Sequence, residues 1–248
     1  MSALVTCPSG LAGRVRGLRV KEEQILTDRQ LAKSGGQIDA LLAACWEETL
    51  DPGPYGFEGK PDWGKVLIAD RFVALVHIRL ATYGPTYAFD LPCERCGERI
   101  EWELELDQLP VRELSVESRS TFLRGNRFRT HLPDAGRAVW FRLLVGNDER
   151  TLPQLRQANR DKVLSASLAH RVVEVEGVAE KDRRAFLEDL ALGDVKALLA
   201  EVERVDGGIE TSIDIQCPSC QAVQAVDLPF QGTFLLPTGR RSAGSSRR

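Results

Sequence analysis

Two Cys-x-x-Cys pairs stand far apart in the sequence, and any fold of this chain has to account for both. Cys93 and Cys96 lie in Phe-Asp-Leu-Pro-Cys-Glu-Arg-Cys-Gly, and Cys217 and Cys220 in Ile-Asp-Ile-Gln-Cys-Pro-Ser-Cys. Alternating runs flank each pair: Thr86 to Leu91 and Ile100 to Leu106 around the first, Glu210 to Gln216 and Ala222 to Leu228 around the second. Alternation with period two is the mark of a strand with one buried face. A strand, a tight turn and a second strand present two thiolates from one knuckle, as in a zinc ribbon. Four thiolates at about 2.3 Å complete a tetrahedral structural Zn2+ site. Pro92 and Pro218 flank the turns, and Gly97 supplies permissive backbone after the second ligand of the first knuckle. In the second knuckle Gln221 holds that place, which departs from the pattern. The predicted ligands are Cys93, Cys96, Cys217 and Cys220, one structural Zn2+ per chain, with Cys7 and Cys45 uninvolved.

Two other chemistries use the same residues. A Cys-x-x-Cys can be a redox motif, but both pairs here sit between strands and neither opens a helix, which argues against a thioredoxin-like site. Two disulfides would need an oxidising compartment. The N-terminus has no charged-then-apolar signal pattern, so an intracellular protein with reduced thiols is expected. The zinc reading carries a demand of its own. Between Cys96 and Cys217 lie 120 residues, so the intervening segment has to be an inserted domain whose ends return to one place.

The segments around the knuckles supply helices and a further hairpin. Gly13 to Val20 alternates as an edge strand would. Lys21 to Lys33 reads as a helix stopped by Gly35-Gly36. Gln37 to Leu50 reads as a second, with Ile38, Leu41, Leu42, Cys45 and Trp46 on one stripe, Cys45 being a small core residue. Asp51 to Asp62 is a loop whose Tyr55 and Phe57 pin it to the core. Trp63 to Thr82 is apolar around nearly its whole circumference and should be central. It contains Asp70, His77 and Arg79, and buried charges of that kind demand partners. Cys7 reads as an exposed terminal cysteine. Beyond Asp107, Gln108 to Ser120 is a polar crossing. Arg127 to His131 and Ala138 to Leu144 form a hairpin, Thr151 to His170 a helix, and Arg171 to Val178 a strand. Glu180 to Leu190 and Gly193 to Val205 are short helices, with Asp194 as an N-cap.

The expected fold class is therefore α+β: a helical N-terminal part, split zinc-ribbon β-hairpins, and an α+β insert between the two knuckles. The expected domains are 1–109 with the first knuckle, 110–206 as the insert, 207–238 completing the ribbon, and a disordered tail at 239–248. The composition, 43% hydrophobic and 28% charged, is that of a globular chain, and no apolar run approaches the length of a membrane span.

A search for catalytic motifs returns nothing. There is no Gly-rich phosphate loop, no His-Glu-x-x-His and no Gly-x-Ser-x-Gly. The three histidines, His77, His131 and His170, are not at zinc-ligand spacing from a cysteine. A site filled by four thiolates has no open position for a water, so it is a staple, and no catalytic or cofactor-binding residues are assigned.

The N-terminal half resembles a known family. Gly17-Leu18-Arg19-Val20-Lys21-Glu22-Glu23-Gln24-Ile25-Leu26 resembles the opening of the T-even phage baseplate hub assembly proteins. The pattern continues through a helix ending near Cys45 and an apolar helix from Asp70 that ends in Ile-Arg-x-x-x-x-Gly at Gly84. An aromatic-rich strand and the knuckle from Tyr87 to Cys96 follow. The resemblance covers residues 13–106. The C-terminal half, with Cys-Pro-x-Cys followed by Leu-Pro-Phe, is similar to baseplate or tail-assembly proteins of contractile phages and phage-tail-like injection systems. The resemblance implies a non-enzymatic baseplate assembly protein or chaperone. Its partners would be other baseplate or tail proteins, and it would reside in the cytoplasm of a bacterial or infected cell or in the assembled particle. No small-molecule substrate is implied. Four apolar residues after the ribbon, Phe230, Phe234, Leu235 and Leu236, would either form part of the docking surface or fold back and seal the open end of the ribbon. The alternative is a zinc-ribbon nucleic-acid binder. The net charge of −3 and an acidic first hairpin (Glu94, Glu98, Glu101, Glu103 and Glu105 against Arg95 and Arg99) set nucleic acid aside.

Overall fold

The computed structural model describes residues 2–151, 163–228 and 234–235. They form a mixed α+β structure of helices and small antiparallel sheets. The chain divides by contact into two units: residues 1–82 with 110–210, and residues 83–109 with 211–248.

The first unit opens with a three-stranded sheet of β1 (Ser2–Thr6), β2 (Ala12–Arg16) and β3 (Trp46–Asp51), in the order β1-β2-β3. The run expected at an edge is thus the central strand. Val5, Val15 and Trp46 point into the core, and Trp46 meets Trp63 edge-to-face at 5.2 Å. The helix expected over 21–33 is broken into a 3-10 turn (Val20–Glu22), α1 (Glu23–Thr27) and α2 (Arg29–Ser34). Asp28 is the cause. Its carboxylate accepts from the Gln30 and Leu31 amides, which starts a new helix. Next, α3 (Gln37–Cys45) stops five residues short of the expected Leu50, because Trp46 onward pairs with β2. Trp46 is buried whether it ends the helical stripe or opens a strand, so periodicity alone did not separate the two.

The central helix is α4 (Ile68–Tyr83), and two charged residues near its start are fully buried. Asp70 accepts from the Ser9 amide at 2.9 Å, the Ser9 hydroxyl, and the Tyr55 hydroxyl at 2.5 Å. Burial pushes its carboxyl above the usual range, against those hydrogen bonds. Further along the helix, burial lowers the His77 imidazole. Tyr55 pins its loop to the core, as expected. Arg71 donates to the Trp63 carbonyl at 2.7 Å and forms ion pairs with Asp39 at 2.6 Å and Glu149 at 2.7 Å. Gly146 makes this possible. A Cβ there would lie 2.2 Å from the Trp63 carbonyl oxygen and 2.5 Å from the Arg71 guanidinium. Cys7 corrects another expectation. It is buried, its thiol reaches the Asp70 carbonyl at 3.6 Å, and burial raises it well above its ordinary value.

A second sheet, in the order β7-β8-β9, is built from β7 (Phe128–Leu132), β8 (Arg137–Phe141) and β9 (Val172–Val175). It follows β4 (Thr86–Pro92), β5 (Arg99–Glu105), β6 (Val111–Arg112) and α5 (Val116–Leu123). The stretch read as a polar crossing therefore holds β6 and α5, whose cap is Ser115 accepting from the Ser118 amide at 3.0 Å. Residues 146–151 (α6) and Val163–Arg171 (α7) are helical; the rest of the helix expected over 151–170 lies outside the described residues. Then come α8 (Arg183–Glu188) and α9 (Leu192–Val205). Asp194 does not cap α9. Its carboxylate accepts from the Asp134 and Ala135 amides at 2.8 and 2.9 Å, tying the β7–β8 turn to that helix.

The buried core of the insert is joined by a residue of the N-terminal segment. Leu67 belongs to the same buried cluster as Phe128, Val139, Phe141, Leu168 and Leu198. Backbone bonds join the two segments, Ile68 amide to Leu144 carbonyl at 3.0 Å and Gly146 amide to Val66 carbonyl at 2.9 Å. The ends of the insert do return together. β6 pairs with β10 (Gly208–Ile209), and the Glu210 amide donates to the Pro110 carbonyl at 2.9 Å.

The second unit contains two hairpins, β4–β5 and β11 (Ser212–Gln216) with β12 (Val223–Asp227). Phe234 and Leu235 are buried here. Phe234 packs edge-to-face on Tyr87 at 5.4 Å, and the Tyr83 hydroxyl donates to the Leu235 carbonyl at 3.2 Å. These two residues seal the hairpins and do not form an exposed docking surface. Phe230, Leu236 and the tail at 239–248 lie outside the described residues.

The Asp70 network gives a first prediction. Asp70→Ala strands the Tyr55 and Ser9 donors and should destabilise by about 2–4 kcal/mol in denaturant unfolding, with Asp70→Asn costing less. A loss below about 0.5 kcal/mol for Ala would show that the network contributes nothing net.

Candidate metal centre

Each hairpin turn is a knuckle with the same hydrogen bonds. In the first, the Cys93 amide donates to the Glu98 carbonyl at 2.7 Å and the Gly97 amide to the Cys93 carbonyl at 2.9 Å. In the second, the Cys217 amide donates to Ala222 at 2.8 Å and the Gln221 amide to Cys217 at 3.0 Å. The residue after the second cysteine is left-handed in both, with φ of 73° at Gly97 and 60° at Gln221. The conformation belongs to the knuckle, so Gln221 adopts it against its intrinsic preference. Its side-chain amide donates to the Pro218 carbonyl at 3.1 Å, a local compensation.

The two knuckles face each other, and the four predicted cysteines come together. Their sulfurs all lie within 4.8 Å of one another. The distances between hairpins are 3.7 Å for Cys93 to Cys220 and 3.7 Å for Cys96 to Cys217. A regular tetrahedron with metal–sulfur bonds of about 2.3 Å has edges of about 3.8 Å, so the spacing fits a tetrahedral ion. All four are free thiols, and the separations are far too long for S–S bonds. Cys7 and Cys45 are not in the group. Cys45 is fully buried, and desolvation raises its thiol to about 11.

The electrostatics of the cluster are compatible with a bound cation. The Cys96 amide, followed by that of Arg95 and neighbouring thiols, lowers the Cys93 thiol to about 6. The Glu98 amide also lowers the Cys96 thiol, but desolvation and the three surrounding sulfurs outweigh it and raise that thiol to about 12. One thiolate forms readily at this spacing and further ones are opposed by like charge. A divalent ion removes that opposition.

Beneath the sulfurs is a small core of Ile100 and Ile215 with the buried Cys93 and Cys217, flanked by Phe89, Leu91, Trp102, Ile213 and Val226. Gln224 adds a polar clamp that the sequence did not reveal. Its side-chain carbonyl accepts from the Glu94 amide at 2.9 Å, and its amide donates to the Pro92 carbonyl at 3.3 Å. A glutamine at an inward position of β12 was its only signal.

Residues 4–235 match the family described as T4 bacteriophage base plate protein. The chain belongs to that family. No curated protein and no solved structure shows significant similarity to it. The match spans both units, and so extends well beyond the stretch 13–106 on which the N-terminal resemblance rested. Membership gives this baseplate protein a role related to the phage baseplate, with other tail proteins as its partners. None of the described helices is long and apolar enough to cross a membrane.

The left-handed Gln221 yields a specific expectation. Gln221→Gly relieves the strain but loosens the unfolded chain, so a net gain of about 0.5 kcal/mol is expected in denaturant unfolding. Gln221→Val should cost more than about 1 kcal/mol, because a β-branched residue tolerates that backbone least. Equal stability of the three proteins would show that the turn relaxes when its side chain changes.

Proposed function

We propose that this baseplate family member is a non-enzymatic assembly protein or chaperone of a contractile-tail baseplate hub. One structural Zn2+ on Cys93, Cys96, Cys217 and Cys220 would hold its two hairpins together. The family match over residues 4–235 is the observation that carries the assembly role. The zinc reading draws on the all-thiolate donor set and the near-tetrahedral sulfur spacing. Thiolate sets of this geometry suit Zn2+ or iron, and four protein ligands leave no open position for catalysis. Two-stranded hairpins with so small a core are marginal alone, which gives an ion work to do as a staple. The nucleic-acid reading has less behind it. Glu101 and Glu103 are exposed along β5 and would repel phosphate.

The metal is tested on the purified full chain. Elemental analysis should find about one zinc per chain and a colourless protein, and Cys217→Ser should abolish binding. Stoichiometric iron with visible charge-transfer bands would replace zinc, and undiminished metal in Cys217→Ser would overturn the ligand set. Chelation should lower the melting temperature of wild type and leave Cys217→Ser unchanged. The assembly role is tested by affinity isolation from the producing cells, followed by mass spectrometry of purified particles. Recovery of tail or baseplate proteins supports it; a chain absent from particles but bound to their precursors is a chaperone. Recovery of no tail component would sink the role.

A further inference from the structure

We propose that a cleft between α5, β7 and α9 is a docking site for an acidic polypeptide segment of a partner protein. This inference rests on the first unit alone and goes beyond the baseplate role. The cleft encloses about 340 Å3. Its rim carries Arg124, Arg127, Arg129 and Arg204 against only two carboxylates, Glu117 and Glu201.

The pairing of these groups leaves a cationic surplus. Arg204 is held by Glu201 through two bonds of 2.7 Å. Arg127 is paired with Glu174. Arg124 donates to the Ser120 carbonyl at 3.3 Å, and Arg129 lies against Trp140. Among the described residues neither Arg124 nor Arg129 has a carboxylate within ion-pair distance, and both are exposed. Two guanidinium forks thus remain free to accept a carboxylate each, the geometry in which arginine binds most selectively.

The cleft is also built to hold its charges in place. The guanidinium carbons of Arg127 and Arg129 sit 5.2 and 5.6 Å from the Trp140 ring centre, stacked by cation–π attraction. Trp140 is opposite Arg129 in the β7–β8 register, so the sheet fixes this platform. Phe128 and Val205, each about 5% exposed, also border the cleft. The carboxylates in the rim decide the kind of anion. Glu117 and Glu201 would repel a continuous phosphate backbone, while a polypeptide with spaced Asp or Glu residues can place them on Arg124 and Arg129 and avoid both.

The test is fluorescence anisotropy with the full chain and two labelled peptides, one alternating glutamate with serine and one alternating glutamine with serine. The glutamate peptide should bind about tenfold more tightly, and that preference should shrink as salt is raised. The double variant Arg124→Glu with Arg129→Glu should lose the preference while keeping the wild-type melting temperature. Should the charge reversal lower that temperature, Arg124→Gln with Arg129→Gln is used instead and should likewise lose it. Equal binding of the two peptides, or an unchanged preference in the variant, overturns the proposal. Tighter binding of oligothymidylate than of the glutamate peptide also overturns it, in favour of phosphate. Metal content and association with baseplate proteins are read separately, so failure here leaves the baseplate reading intact.

Discussion

The two knuckles can share one site only because the ends of a long segment meet. Closing a loop of this length from an unfolded chain costs on the order of 4 kcal/mol in entropy. The cysteines need not bear that cost. Residues 110–210 fold into one compact unit with residues 1–82, and their ends are joined by the β6–β10 ladder and the bond from Glu210 to Pro110. The chain leaves and re-enters the hairpin unit through neighbouring strands. What remains for the sulfurs is local: two turns with matching hydrogen bonds, brought within 4.8 Å.

The first unit depends on polar groups as much as on apolar ones. Asp70 and Arg71 are adjacent on α4 and both fully buried, yet they serve different segments. Asp70 gathers the turn after β1 and the loop at Tyr55; Arg71 gathers α3, the Trp63 turn and Glu149. Each charge is desolvated and therefore demands its full complement of partners, which fixes where those segments lie. The networks specify an arrangement that apolar packing alone would leave looser.

Several elements were legible from residue order. The strands flanking both knuckles, the β7–β8 hairpin, β9 and the burial of Cys45 follow from alternation and turn chemistry over short windows. Failures came where a side chain's partner is distant in sequence. Trp46 satisfies a helical stripe, but its neighbour in β2 makes it a strand residue. Asp194 looks like a cap until the Asp134 and Ala135 amides are found beside it. Cys7 looked exposed because it is near the start of the chain, and for Phe234 residue order left docking and sealing both open; long-range packing covers the two.

The sequence by itself determined the local chemistry: four cysteines in two strand-flanked turns, no catalytic motif, and the pattern of a baseplate family. Ligand spacing within a knuckle is set by three or four consecutive residues, so it can be read directly. The tertiary structure alone decided that Leu67 joins the buried core of the insert, that Gln224 clamps one knuckle to the other, and that Arg204 meets Arg124 and Arg129 at one cleft. Each of these joins residues tens to more than a hundred positions apart. Such contacts arise from burial and hydrogen-bond satisfaction over the whole fold, and no local window of sequence contains both partners.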